Sequence, residues 1–175
     1  RGPQWWQRMA EVLLPYLDEA GRRLLTEELA HQTALRALDL PRGVIHGDLF
    51  RDNVLFQGER ISGVIDFYYA CNDVLLFDLA IAVNDCCVDE TGALDGERVA
   101  AAVDAYGRER PFLPAEQAAW STLLRAAALR FWLSRLHDLH FPRPGELTHV
   151  KDPDVFRRIL ERQIAQPAML SGAGL

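Results

Sequence analysis

Apolar positions return at helical spacing from Trp5 to about Leu38, which predicts a helical block broken near Pro15 and Gly21. Within it Leu24, Leu25, Leu29, Leu35 and Leu38 recur with Arg and Glu between them. Pro41 and Gly43 end the block, and Val44 to Leu49 then reads as a short apolar stretch entering a polar loop, Arg51-Asp52-Asn53. Val54-Leu55-Phe56 and Ile61 to Ile65 are β-prone runs separated by Gln57-Gly58-Glu59-Arg60, a hairpin with glycine in its turn. After Tyr69 the pattern is helical throughout. Val74 to Val88 predicts a largely buried helix, Gly96 to Gly107 an amphipathic one, and Pro114 to about Leu139 the longest. The loop Phe141-Pro142-Arg143-Pro144-Gly145 stops that helix. A last one starts at Asp152-Pro153-Asp154, with a capping carboxylate and a proline in the first turn. The fold class is therefore mainly α with a short β-hairpin. A hairpin that small does not fold alone, so its use is to place the loops at its ends.

Composition narrows the picture. The 175 residues suit one domain, expected over 1–166, followed by a flexible tail over 167–175. A net charge of -6 argues against a broad electrostatic grip on nucleic acid or an anionic membrane. No apolar run approaches the roughly 20 residues of a membrane span, and the first residues lack the features of a signal peptide. Cys71, Cys86 and Cys87 are an odd set without a CxxC, which fits reduced, mostly buried thiols in a cytoplasmic protein. Lys151 is the only lysine.

The chemistry is concentrated in VIHGDLFRDNVLFQGERISGVIDF, residues 44–67. His46-Gly47-Asp48, Asn53 and Asp66 stand at its strand and loop junctions, and a hairpin folds Asp66 back towards the loop that carries Asn53. Phosphoryl transfer asks for this set. One carboxylate orients the acceptor hydroxyl and takes its proton, while a carboxylate and an amide hold Mg²⁺ against nucleotide phosphates. The kinase signature H-R-D-x-x-x-x-N followed by D-F-G has the same order and spacing. Taken singly, Asp48 and Asn53 read as turn caps and His46 as a core histidine; the joint occurrence outweighs those readings.

Gly47 in place of Arg and Tyr68 in place of the third-position Gly argue against a regulated protein kinase. HGDxxxxN followed by IDF resembles the aminoglycoside phosphotransferase and choline kinase superfamily, which phosphorylates small alcohols. The resemblance implies ATP and Mg²⁺, Asp48 and His46 as catalytic-loop residues, Asn53 and Asp66 as metal ligands, and Asp78 as a buried brace of the loop. Arg51, three residues after Asp48, is a candidate contact of the γ-phosphate. Protein kinases usually place a lysine two residues after the aspartate, where this chain has Phe50. The resemblance also implies the C-terminal, helical lobe of a kinase-like fold with the N-terminal lobe absent, since nothing before Val44 looks like a phosphate-covering loop or a strand lysine. On that expectation the chain alone binds ATP weakly, and apolar surface left exposed near the hairpin favours self-association.

HGDLFRDNVLF, IDFYYACNDVLLFDLAIAVNDCC and the block from Ala128 to Leu160 are similar to bacterial homoserine kinases of this superfamily. That likeness implies a small-molecule acceptor, L-homoserine, and a place in threonine biosynthesis. A zwitterion needs a fixed cation and a fixed anion. Arg130 and Arg135, on the long apolar helix, are candidates for its carboxylate, and Asp73 or Asp85 for its ammonium; the same arginines also read as side chains that snorkel to solvent. Tyr68, Tyr69 and Trp132 are candidate pocket walls, with a core role equally open to Trp132. His137 and His140 form an H-x-x-H without a third ligand and read better as ordinary histidines. Kinases for another small alcohol, and a non-catalytic module on the same fold, are the alternatives.

Overall fold

In the computed structural model, which describes residues 2–33, 38–142 and 151–170, the chain is mostly helical with two small antiparallel sheets. Helix α1 spans Pro3–Leu13 and passes through a 3-10 turn at Pro15 into α2, Glu19–Gln32. The break expected at Pro15 is present, but Gly21 lies inside α2. It stands where the Asp18 side chain caps the helix by accepting from the Gly21 N–H at 2.7 Å. A Cβ there would meet that carboxylate at 2.8 Å, so the glycine makes room for the cap instead of breaking the helix. Leu35 lies outside the described residues.

Strand β1, Arg42–Ile45, leads into the loop that carries Asp48. Strands β2, Val54–Gln57, and β3, Arg60–Val64, form the expected hairpin, turning through Gly58 at φ 63. The uniformly helical reading after Tyr69 needs correction. Cys71–Val74 is strand β4, paired antiparallel to β1 with Ile45 opposite Cys71 and Arg42 opposite Val74. Its sequence, Cys-Asn-Asp-Val, has almost no strand propensity; the partner strand decides its conformation.

The remaining helices are α3, Leu76–Cys86; α4, Gly96–Glu109; α5, Pro114–His140; and α6, Asp154–Ala165. Before α6 the Asp152 side chain accepts from the Asp154 N–H at 2.9 Å, as the sequence signal implies. Helix α5 is the axis of the molecule and packs against α1, α2, α3 and α6. Trp120, Leu123, Leu124, Leu129, Trp132 and Leu133 on it are all essentially inaccessible, which assigns Trp132 to the core. Of the expected tail, residues 167–170 lack regular structure, yet Leu170 is buried against the core; 171–175 lie outside the described residues. No described helix is long and apolar enough to cross a membrane. The cysteines depart from the buried placement expected of them: Cys71, on strand β4, and Cys86, at the end of α3, are exposed, and Cys87 is buried.

Buried polar groups stitch these helices together. Gln163 of α6 donates to Asn84 of α3 at 2.6 Å, and Asn84 donates to the Leu124 carbonyl of α5 at 2.8 Å. Glu28 of α2, fully buried, accepts from Gln32 at 2.6 Å and from Arg125 Nε of α5 at 3.0 Å. By contrast, apolar side chains around the two sheets face outward: Val44, Phe56, Ile61, Phe67 and Tyr68 are all more than half exposed, which matches the apolar surface expected near the hairpin. Removing one partner of a buried pair strands the other charge and costs about 3–5 kcal/mol. Glu28→Ala is therefore expected to lower the urea-unfolding free energy by about that amount, whereas Glu28→Leu combined with Arg125→Leu recovers most of it.

Candidate functional site

The two sheets act as a frame for two loops. β1 and β2 hold the ends of the loop from His46 to Asn53, while β3 and β4 hold the ends of the loop from Ile65 to Ala70. The Ile65 N–H donates to the Asn53 carbonyl at 3.0 Å, tying the loops together just beyond the hairpin.

Asp78, in the first turn of α3, fixes the start of the first loop. Its two carboxylate oxygens accept from the backbone N–H groups of His46 at 2.6 Å and Gly47 at 2.7 Å. Gly47 adopts φ 75, and a Cβ there would come within 2.7 Å of the Tyr69 carbonyl. Only glycine satisfies both demands, which gives a steric reason for the residue the sequence shows in place of Arg. His46 is buried, with its ring against Phe67 at a centroid separation of 4.7 Å. Its Nε2 lies 2.8 Å from the Ile65 carbonyl, and its Nδ1 accepts from the Asp48 N–H at 3.2 Å. A carbonyl can only accept, so Nε2 carries the proton and the ring bridges the two loops as the neutral tautomer.

Beyond Asp48 the chain is anchored by Phe50, whose buried ring meets Phe131 of α5 edge-on at 4.5 Å and Phe156 of α6 at 6.0 Å. A 3-10 turn over Arg51–Asn53 follows. Asn53 Nδ2 donates to the Asp48 carbonyl at 2.8 Å, which turns the amide oxygen away from that carbonyl. Asp66 is the one described non-glycine residue at positive φ, 65, a left-handed conformation that costs energy and is characteristic of functional loops.

Asp48, Asn53 and Asp66 line one cleft of about 250 Å³, together with Arg135, Asp138 and Lys151. Several residues nominated from sequence lie elsewhere. Arg51 turns away: its N–H and Nε both donate to Asp85 Oδ2, at 2.8 and 3.1 Å, and its guanidinium also reaches the Asp85 carbonyl. This pairing raises the Arg51 pKa further above its ordinary value, and neither Arg51 nor Asp85 lines the cleft. Tyr68 is 94% exposed and outside the cleft, whose wall is Tyr69 instead. Asp73 accepts from Arg42 and from the Val74 N–H, both at 2.8 Å, on the rim of a separate cavity of about 230 Å³ behind the β1–β4 sheet. Arg130 lines that second cavity too, buried with its guanidinium 5.5 Å from the centre of the Tyr69 ring.

The Arg130–Arg135 pair therefore divides. Arg135 alone reaches the cleft, its guanidinium 4.4 Å above the Phe156 ring and donating to the Asp152 carbonyl at 3.1 Å. His137 and His140 pack against Phe141 and Tyr16. Neither Asp138 nor Lys151 was nominated for the site from the sequence. Asp138 is one turn beyond Arg135 on α5. Lys151 donates to Asp52 at 2.9 Å, across 99 residues of chain, and no local motif announces such a contact.

The profile of the phosphotransferase enzyme family matches residues 1–112, which include both loops, His46 to Asn53 and Ile65 to Ala70, and Asp78. Similar proteins include the homoserine kinase of Methylobacillus flagellatus, 55% identical over 165 residues, and that of Janthinobacterium sp. strain Marseille, 51% identical over 181. These alignments cover 94% and 99% of this chain but 52% and 56% of the relatives, so the chain spans about half their length. A third, the homoserine kinase of Methylobacillus glycogenes, is 55% identical over 151 residues. With the family profile lying over the whole loop assembly that Asp78 and His46 hold in place, the chain belongs to the phosphotransferase enzyme family.

Proposed function

We propose that this chain forms the acceptor-activating part of an ATP-dependent kinase whose substrate is the hydroxyl of L-homoserine. The observation that carries the reading is the convergence of Asp48, Asn53 and Asp66 on one cleft, framed by loops whose backbone is fixed by Asp78 and His46. In it Asp48 is the base that orients the acceptor hydroxyl and takes its proton. His46 keeps that loop in register instead of moving a proton, because both ring nitrogens already serve the backbone.

Asn53 and Asp66 suit a hard divalent cation. Both offer oxygen, the Asn53 amide is oriented by its bond to the Asp48 carbonyl, and Mg²⁺ usually takes few protein ligands beside phosphate and water. When bound, the ion neutralises charge on the transferring phosphoryl group. Arg135 and Asp138 supply the cation and anion that a zwitterionic acceptor needs, in place of the Arg130, Asp73 and Asp85 suggested by sequence. The names of the similar proteins favour homoserine among small alcohols. The nucleotide-gripping lobe belongs to the rest of a protein of the relatives' length, and the apolar face around the two sheets is the surface it would cover.

Two variants of the full-length protein test this. Asp48→Asn is expected to reduce kcat for L-homoserine by about 10²–10⁴-fold while ATP still binds, as read by a coupled ADP assay and by calorimetry. Turnover undiminished in that variant would remove Asp48 as the base, and selective turnover of choline or an aminoglycoside by the wild type would remove homoserine. Asp78→Asn replaces one of two acceptors with a donor facing a backbone N–H. It is expected to cost about 1–3 kcal/mol of stability by urea unfolding and to lower kcat through the displaced loop.

A further inference from the structure

A cation on the acceptor side of the cleft would stabilise the charge on a transferring phosphoryl group, and within the loop from His46 to Asn53 no cationic side chain lines the cleft. Arg51 is taken up by Asp85, and the place two residues after Asp48 is held by Phe50, whose ring is buried between α5 and α6. Arg135, assigned above to the carboxylate of the acceptor, lies over the Phe156 ring and donates one N–H to the Asp152 carbonyl. Lys151 enters from the far end of the sequence. Its ammonium lies 5.8 Å above the centre of the Phe50 ring and 2.9 Å from Asp52 Oδ2, on the wall of the cleft that contains Asp48, Asn53 and Asp66.

Resting on the kinase reading above, we propose that Lys151 is the cation that meets the transferring phosphoryl group, taking over in space the position that Phe50 occupies in sequence. Lysine carries three donors, and Asp52 engages one of them, so the ammonium can stay anchored while contacting a phosphoryl oxygen. In the step itself the acceptor oxygen forms a bond to the γ-phosphorus, the bond from that phosphorus to the β,γ-bridging oxygen breaks to leave ADP, and the acceptor proton passes to Asp48. Lys151 transfers nothing. It lowers the energy of the charge on the moving group, and it remains beside the phosphate of the product.

The test separates this role from a structural ion pair and from a grip on the acceptor. Full-length wild-type protein is first assayed with ATP, Mg²⁺ and L-homoserine; absence of turnover in a folded, ATP-binding protein overturns the kinase reading and this inference with it. With turnover established, Lys151→Met is expected to lower kcat by about 10²-fold and to leave KM for homoserine within about threefold, and Lys151→Arg to restore much of kcat. Calorimetry supplies a second readout. Lys151→Met and Lys151→Gln should weaken O-phosphohomoserine binding by at least about tenfold and leave homoserine binding unchanged, which also certifies the fold. Unchanged kcat overturns the inference. So does a rise in KM for homoserine alone, which would make Lys151 a carboxylate contact, or an equal loss of affinity for both ligands, which would make it structural.

Discussion

The carboxylate of Asp78 accepts two backbone N–H groups, those of His46 and Gly47, and the geometry of the cleft follows from that contact. Asp78 belongs to the first turn of α3, and α3 is bound to the central helix α5 through Asn84 and a continuous apolar interface. Because Asp78 holds the loop by its backbone, the loop runs where Asp48 lines the cleft. Hydrogen bonds to a charged acceptor contribute about 1.5–3 kcal/mol each, more than neutral ones. His46 then passes the constraint across to the second loop by way of the Ile65 carbonyl, one residue before Asp66.

Much of this was legible in the sequence because it depends on short separations. Asp48 and Asn53 lie in one loop, and the hairpin that returns Asp66 to them is announced by two β-prone runs around Gly58. What the sequence concealed depends on rotation or distance. Arg130 and Arg135 look like a pair on one apolar helix, but five residues at about 100° each place them about 140° apart around its axis, so they face different cavities. Tyr68 and Tyr69 are adjacent and chemically alike, and only the 3-10 turn over Phe67–Tyr69 decides that the second lines the cleft. Strand β4 has no strand character of its own and exists because β1 needs a partner.

Charge was the least legible property. A net charge of -6 describes the whole surface, whereas a bound phosphate responds to what lies within a Debye length, about 8 Å at physiological ionic strength. The cleft itself contains more carboxylates than cations: Asp48, Asp52, Asp66 and Asp138 face Arg135 and Lys151. On the proposed kinase reading, an acidic lining of this kind would repel a nucleotide until a divalent ion joined it, and would attract that ion. The two side-chain cations are each fixed by an oxygen, Arg135 by the Asp152 carbonyl and Lys151 by Asp52. Fixing them matters more than their number. A charge already oriented by its neighbours needs no reorganisation when negative charge moves across the cleft, and preorganisation is the property that electrostatic catalysis requires. The single lysine of the chain is oriented in the same way, with Phe50 supporting it from below and Asp52 holding it from the side, and that fixed placement is what the proposed phosphate role draws on.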